Sequence, residues 1–297
     1  MKPSLQVLST EEEKKILQEA IKLLENPGII VSNSEGLNLL SDAGAKVNLN
    51  SKVASIPEEL IHNALENCPA EFSLYNLKGD PAVKYGSERT FFNPGSSTLY
   101  ILDSQTQKTR KVITNDLVQF IQLVENLPPI DAQSTAMVPS DVPEAIQDLY
   151  RLYLALCYMT KPIITGIFRK ESWKVMKELL VTAAGGEQAL LEKPLGIFDI
   201  CPTSPLEWSD TSCQNLIDNA LSGIPIQIVA MPMAGATSPV TLAGTVVQHA
   251  AECLSGIVIA QLASKGAKIV WGGSAAVFDM KHSTAPMGAP GTWLIAA

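Results

Sequence analysis

Several features that often declare a function are missing from this sequence. Its 297 residues hold no CxxC pair, and the five cysteines, Cys68, Cys157, Cys201, Cys213 and Cys253, are odd in number and far apart. That spacing speaks against structural zinc modules and a disulfide framework, and it suits reduced thiols. There is no basic run, and a net charge of −8 argues against nucleic acid or an anionic membrane as the main partner. No stretch reaches the ~18 consecutive apolar residues of a membrane span, and the opening MKPSLQVLSTEEEKK has no apolar signal core. The expectation is a soluble, cytoplasmic protein acting on a small molecule or on another protein. No predicted strand opens a GxGxxG or GxxxxGK(S/T) loop, so the two common nucleotide signatures are absent.

What is present is enough apolar sequence, 46% against 18% charged, to bury a sizeable core. Three capping-box patterns open the chain: Ser9 with Glu12, Ser32 with Glu35 and Ser55 with Glu58. They predict three short helices as an N-terminal cap. The period then changes to short strands over 72–77, 82–85, 99–102 and 110–113, the last two joined as a hairpin by Asp103-Ser104-Gln105. A polar loop, Phe91-Phe92-Asn93-Pro94-Gly95-Ser96-Ser97, lies between them.

From Thr114 onward, helical and strand patterns alternate. Strands are predicted over 131–137, 162–168, 195–200, 226–231 and 268–271, with helices between them. The longest predicted helix starts from Ser238 as N-cap with Pro239 behind it, and it runs to about Ser264, with Gly266 closing it. Repeated βα units mean an open doubly wound sheet or a barrel. Without nucleotide loops the barrel is preferred. The predicted architecture is therefore α/β, a TIM-type (β/α)8 barrel truncated at its C-terminal side. Residues 1–115 form a helical cap with a small β-hairpin region, and residues 116–297 supply about five of the eight strands such a barrel needs. The last residues, Gly291-Thr-Trp-Leu-Ile-Ala-Ala297, read as the start of a further helix.

Ligands of such folds bind beyond the carboxyl ends of the strands. Alternation in Leu195-Gly-Ile-Phe-Asp-Ile-Cys201 puts Ile197, Asp199 and Cys201 on one face. Asp199 there is either a counter-charge for a cationic substrate or an acid held by backbone N–H groups or a helix end. Cys201 is a candidate zinc ligand or nucleophile, although zinc needs three protein ligands. His249 and Glu252 form an i, i+3 pair inside the long crossover helix and read as structural. For Schiff-base chemistry only Lys281 follows a strand, since Lys161 and Lys268 sit where strands begin. The strand ends instead collect Asn93, Phe168, Cys201, Met231, Met233, Trp271 and Phe278, a neutral, soft and aromatic set. Such a set, with Asp199, suits binding a quaternary ammonium by cation–π contact, worth about 0.5–2 kcal/mol per ring. No catalytic residue and no metal ligand set stands out.

Longer stretches carry a resemblance. Cys201-Pro-Thr-Ser-Pro-Leu206, Ser238-Pro-Val-Thr-Leu-Ala-Gly-Thr-Val246, Glu252-Cys-Leu-Ser-Gly-Ile257, Phe278-Asp-Met and Ala285-Pro-Met-Gly-Ala-Pro290 resemble the trimethylamine methyltransferase family. Leu24-Glu-Asn-Pro-Gly-Ile-Ile-Val31, Ala43-Gly-Ala45 and Ile56-Pro-Glu-Glu-Leu60 extend the likeness over essentially the whole chain. Where many members carry Glu after the Gly-Ala-Pro motif, this chain has Gly291. The resemblance implies a barrel that moves a methyl group from a methylated amine to the cobalt of a separate corrinoid protein. The substrate is trimethylamine in members that carry pyrrolysine, and a quaternary amine such as glycine betaine in members without it. It also implies that this chain binds no cofactor directly, the corrinoid being presented by the partner, and that the full-length protein is a homo-oligomer. The alternatives are a Schiff-base or zinc-dependent barrel enzyme using Lys281 or Cys201, and a non-catalytic truncated fragment.

Overall fold

The computed structural model describes residues 6–86 and 89–297. Ser9 caps helix α1 (Thr10–Glu25) through a complete capping box with Glu12, as the pattern predicts. Strand β1 (Ile29–Val31) follows, then α2 (Ser34–Asp42), β2 (Lys46–Asn48), β3 (Val53–Ser55) and α3 (Glu58–Asn67). The other two boxes do not form. Asn33, not Ser32, caps α2 by accepting from Gly36 N, while the Ser32 hydroxyl is taken by Glu207. Ser55 lies in β3, and Pro57 precedes α3 without a side-chain cap. Two hairpins come next, β4 (Phe72–Tyr75) with β5 (Pro81–Tyr85), and β6 (Tyr100–Leu102) with β7 (Thr109–Lys111).

The predicted alternation then appears. It runs α4 (Thr114–Glu125), β8 (Gln133–Ser134), α5 (Gln147–Tyr158), β9 (Ile163–Gly166), α6 (Lys170–Ala184), α7 (Glu187–Glu192) and β10 (Gly196–Ile200). It continues with β11 (Glu207–Trp208), α8 (Asp210–Leu221), β12 (Ile226–Ala230), β13 (Met233–Ala234), α9 (Leu242–Ala263), β14 (Ile269–Gly273), β15 (Ala276–Val277) and α10 (Pro290–Ala296). All five predicted βα strands are present. β8 is shorter than expected because the backbone beyond it bonds to the 91–98 loop instead, with Thr98 N donating to Ala136 O and Val138 N donating to Thr98 O. The cap of α9 is Thr241 rather than Ser238, since the Thr241 hydroxyl accepts from Gly244 N. The described residues show an α/β fold with parallel strand pairing, and no closed barrel is found among them.

The chain divides into two compact units. One comprises residues 1–68, 200–221 and 227–297, and the other residues 69–199 and 222–226, so the expected boundary at 115/116 falls inside the second. In the first unit α9 is the central element, packed by α1, α2, α3, α8 and α10. By length and composition α9 is apolar enough to cross a membrane, but two-thirds of its most apolar window is buried in this packing. An apolar surface on every side is what a helix enclosed by others needs. In the same unit β1 pairs with β3 and, in parallel, with β11, an association of distant segments that the sequence pattern did not announce. In the second unit β8, β9 and β10 form a parallel sheet. The register matches Ser134, Ile164 and Ile197 across the three strands and then Gly166 to Asp199.

Candidate active site

The second unit carries its polar groups at the carboxyl ends of its sheet. Gln133 faces α4, donating to Ile121 O at 3.1 Å, so alternation turns Ser134, Ile164, Ile197 and Asp199 to the opposite face. On that face Asp199 sits beside Gly166, which puts no side chain next to it. Asp199 Oδ1 is buried without a hydrogen-bond partner, and burial pushes the carboxyl pKa up to about 7. Its charge adds to the burial that raises Tyr85 to about 12.

The same unit also buries a group that the sequence reading missed. Arg151, on α5, is 0% exposed. Its Nη1 donates to Thr135 O at 2.7 Å and to Ser97 Oγ at 3.3 Å, while Nε and Nη2 have no partner. Burial lowers its pKa to about 10, with the Asp148 carboxylate opposing that shift. Asp148 itself accepts from Leu149 N, Ser172 Oγ and Phe168 N. The Phe168 ring, 46% exposed, lies 4.3 Å from the Arg151 guanidinium carbon. Nothing in Gln147-Asp-Leu-Tyr-Arg-Leu-Tyr-Leu-Ala155 marks the arginine as special, since a charge among leucines on a helix normally reads as a solvated face. Asn93 is exposed, and its side-chain oxygen accepts from Gly95 N at 3.0 Å, shaping the 91–98 loop that runs along β8.

In the first unit the remaining candidates separate into three places. Cys201 is exposed at the start of a loop that turns through Thr203 and Glu207. The loop is held from α9: the buried Glu252 carboxylate accepts from Leu206 N at 3.0 Å, Ser204 Oγ at 2.8 Å and Gln248 Nε2 at 2.9 Å. Ser255 Oγ accepts from Trp208 Nε1 at 2.9 Å, and a Cβ on Gly256 would lie 2.6 Å from Trp208 Cζ2. The Glu-Cys-Leu-Ser-Gly motif thus seats the 201–208 loop, in line with the structural reading of Glu252.

Met231, Met233 and Phe278 come together where the segments beyond β12 and β14 run side by side. There Ser274, Ala276 and Phe278 N donate to Ala230, Pro232 and Ala234 O in turn. Met231 is 49% exposed there. Trp271 is elsewhere, in a cleft of about 610 Å³ with Leu17, His249, Met287 and Trp293, its ring 6.4 Å from that of His249. His249 Nε2 also meets Gly272 O at 3.2 Å, and burial lowers its pKa.

No three His, Cys, Asp or Glu side chains are grouped to hold a metal ion among the described residues. The Lys281 backbone N donates to Asp279 Oδ1 in an exposed turn. None of the five cysteines is in a disulfide. Gly291 is the second residue of α10, and a Cβ there would lie 2.7 Å from Val277 Cγ1, so a glutamate at this position has no room without movement of Val277.

Comparison with known proteins gives a consistent result. Residues 1–297 match the family described as trimethylamine methyltransferase. The chain is 32% identical over 289 residues to a trimethylamine methyltransferase of Desulfitobacterium hafniense, covering 97% of this chain and 58% of that protein. It is 34% identical over 299 residues to one from Methanosarcina barkeri, covering 99% of this chain and 60% of that protein. A glycine betaine methyltransferase of D. hafniense is 27% identical, with 97% of this chain and 60% of that protein covered. The crystal structure of the M. barkeri monomethylamine methyltransferase shares the fold. Its TM-score is 0.61 at 10% identity, over 97% of this chain and 58% of that one. The chain spans about 60% of the length of the curated relatives it matches.

Proposed function

Because the chain belongs to the trimethylamine methyltransferase family, we propose that it serves, in the cytoplasm, to move a methyl group from a methylated amine to the cobalt of a corrinoid protein. The amine is trimethylamine or a quaternary amine such as glycine betaine, the substrates named for its relatives. In this reading residues 116–297 supply the first five strands of a barrel, residues 1–115 are its cap region, and the full-length protein self-associates.

The observation that carries the proposal is Asp199, a buried carboxyl with an unpartnered oxygen at the carboxyl end of β10. Leaving such an oxygen unpaired costs about 1–3 kcal/mol, more when the group is charged, and a cation seated beside it removes that cost. A methylated ammonium is such a cation, and it brings no N–H that would demand further acceptors. Phe168 presents an aromatic face for the N-methyl groups, and the Asn93 loop borders β8.

The corrinoid, carried by the partner protein, supplies the nucleophile that takes the methyl group. The residues of this chain fit that division of labour, since they offer a cation site. A quaternary ammonium leaves as a neutral amine, so its departure requires no proton donor. What the protein must do is hold the substrate in line and exclude water, which is worth several kcal/mol when the geometry is preset. The Met231, Met233 and Phe278 cluster, with Met231 exposed and the other two half-buried, offers a soft apolar surface for the partner's planar ring.

The test mixes the protein with its reduced corrinoid partner and each methylated amine while methyl-cobalt absorbance is followed. Methyl transfer from one tertiary or quaternary amine is expected, and its absence with all of them overturns the reading.

A further inference from the structure

Helix α5 has its polarity reversed. An outer helix of an α/β layer normally turns its charges to water, and α6 beside it does so with Glu171, Lys174 and Glu178. In α5 the charged residues are Asp148 and Arg151, and they are 1% and 0% exposed. What faces water instead is a row without charge. Ile146 at the start of the helix and Tyr153 are 38% and 49% exposed, Tyr150 is half-buried, and Cys157 is exposed. Tyr158 is exposed beside them, and the half-buried Leu149 and Leu156 flank the row. α4, which packs on α5, has both its acids engaged, Asp116 by Arg110 and Glu125 by Thr160, and it exposes Leu123.

Single apolar side chains on a surface are ordinary, whereas a charge-free row along a whole helix marks a contact, and tyrosine without charge is the composition of an interface core. Ile146, Tyr153, Tyr158, Leu123 and Leu127 leave on the order of 500 Å² of side chain in water, so two such faces approach the ~1,200 Å² at which specific interfaces begin. The spacing of the row points to its partner. Ile146, Tyr150, Tyr153 and Cys157 follow one another at steps of 4, 3 and 4 residues, the steps of a helix–helix seam. Read from either end the steps are the same. The seam is therefore complementary to itself in antiparallel orientation, Tyr150 against Tyr153 and Ile146 against Cys157. Each copy carries a net charge of −8, so two copies repel unless they meet through uncharged surface, and this face supplies it.

We propose that the outer face of α5 is a two-fold interface with a second copy of this chain, the two α5 helices packing antiparallel through Ile146, Tyr150, Tyr153 and Cys157. This rests on the self-association proposed above and gives it a surface, whichever amine the protein takes. A two-fold contact uses the same patch on both copies, as a seam of palindromic spacing allows.

Sedimentation of the whole chain at micromolar concentrations should show a dimer. Tyr153→Glu places two like charges at the centre of the seam and should weaken dimerisation by at least about tenfold without lowering the unfolding midpoint of the monomer. Val175→Glu, at a position 46% exposed among the charges of α6, should leave the dimer intact. Cross-linking reads the register. Ile146→Cys, treated with copper–phenanthroline as oxidant, should form a disulfide with Cys157 of the partner subunit, and Cys157→Ser should abolish it. Within one chain the two positions are about 16 Å apart along the helix, too far to bridge. The wild-type and cross-linking results stand even if Tyr153→Glu misfolds. A monomer overturns the interface together with the self-association. A dimer that survives Tyr153→Glu, that is lost equally with Val175→Glu, or that lacks the 146–157 link overturns the α5 interface alone.

Discussion

Asp199, at the end of β10, and Glu252, in the middle of α9, are both buried acids whose pKa is raised first by burial. They differ in what their oxygens meet. Glu252 accepts from Leu206 N, Ser204 Oγ and Gln248 Nε2, whereas Asp199 Oδ1 meets nothing. A buried charge with its acceptors filled acts as a fastener, and one left open is a candidate for holding a ligand. The contrast sorts two residues that composition and burial alone would place in one class.

The strongest way to break the comparison is to remove the fastener. Glu252→Ala strands Leu206 N, takes one of the two acceptors of Gln248 Nε2 and opens a cavity beside the 201–208 loop. A loss of about 3–5 kcal/mol in urea unfolding is expected. A loss below 1 kcal/mol would put Glu252 in the same class as Asp199.

Asp199→Asn should act in the opposite direction. The native carboxyl, with its pKa raised from 3.8 to about 7, keeps a proton that the unfolded chain releases. Wild-type stability contributed by this group is therefore intact below pH ~4 and falls as pH rises to ~7. Asparagine has no such term, so the variant should match wild type at low pH and exceed it by up to about 4 kcal/mol at pH 8. The same change should weaken binding of cationic amines. Chemical denaturation across pH, with parallel titration of trimethylamine, checks both signs.

Packing around the fastened loop supports a smaller test. Gly256→Ala forces a methyl group to within 2.6 Å of Trp208 Cζ2 and 2.8 Å of Ile228 Cδ1, both on rigid elements. A cost of about 1–3 kcal/mol is expected from overpacking, read from the unfolding midpoint. A neutral effect would mean that the loop yields easily, and that Glu252 holds less than its hydrogen bonds suggest.

How much of this was legible beforehand depended on the range of the interactions. The βα alternation and the capping box at Ser9 are local patterns, and they were readable. Ser32 and Ser55 satisfied the same pattern and still failed, because Glu207, distant in sequence, claimed one hydroxyl and the pairing of β3 with β2 claimed the other residue. The structural reading of Glu252 followed from its place in a long apolar helix. The state of Asp199 and the burial of Arg151 with unpartnered nitrogens were not readable, since an absent hydrogen bond leaves no mark in a sequence. Trp271 could be placed on a strand, but only the three-dimensional packing puts its ring beside His249 of α9.

The finest probe turns one acid partway into the other. Ser204→Ala removes the hydroxyl that donates to Glu252 Oε2 at 2.8 Å and leaves the other two donors in place, so one oxygen of Glu252 resembles Oδ1 of Asp199. That hydroxyl is among the groups that hold the Glu252 pKa down against burial, so its loss moves the pKa further up. A carboxyl raised in the native state loses stability as pH increases through the interval between its unfolded and native values. The variant should therefore equal wild type where Glu252 is protonated in both, and fall behind by about 1–2 kcal/mol at neutral pH. A pH-independent loss would show that Ser204 contributes only to the shape of its loop. A loss that grows with pH would show that partner count, and not burial, separates Glu252 from Asp199.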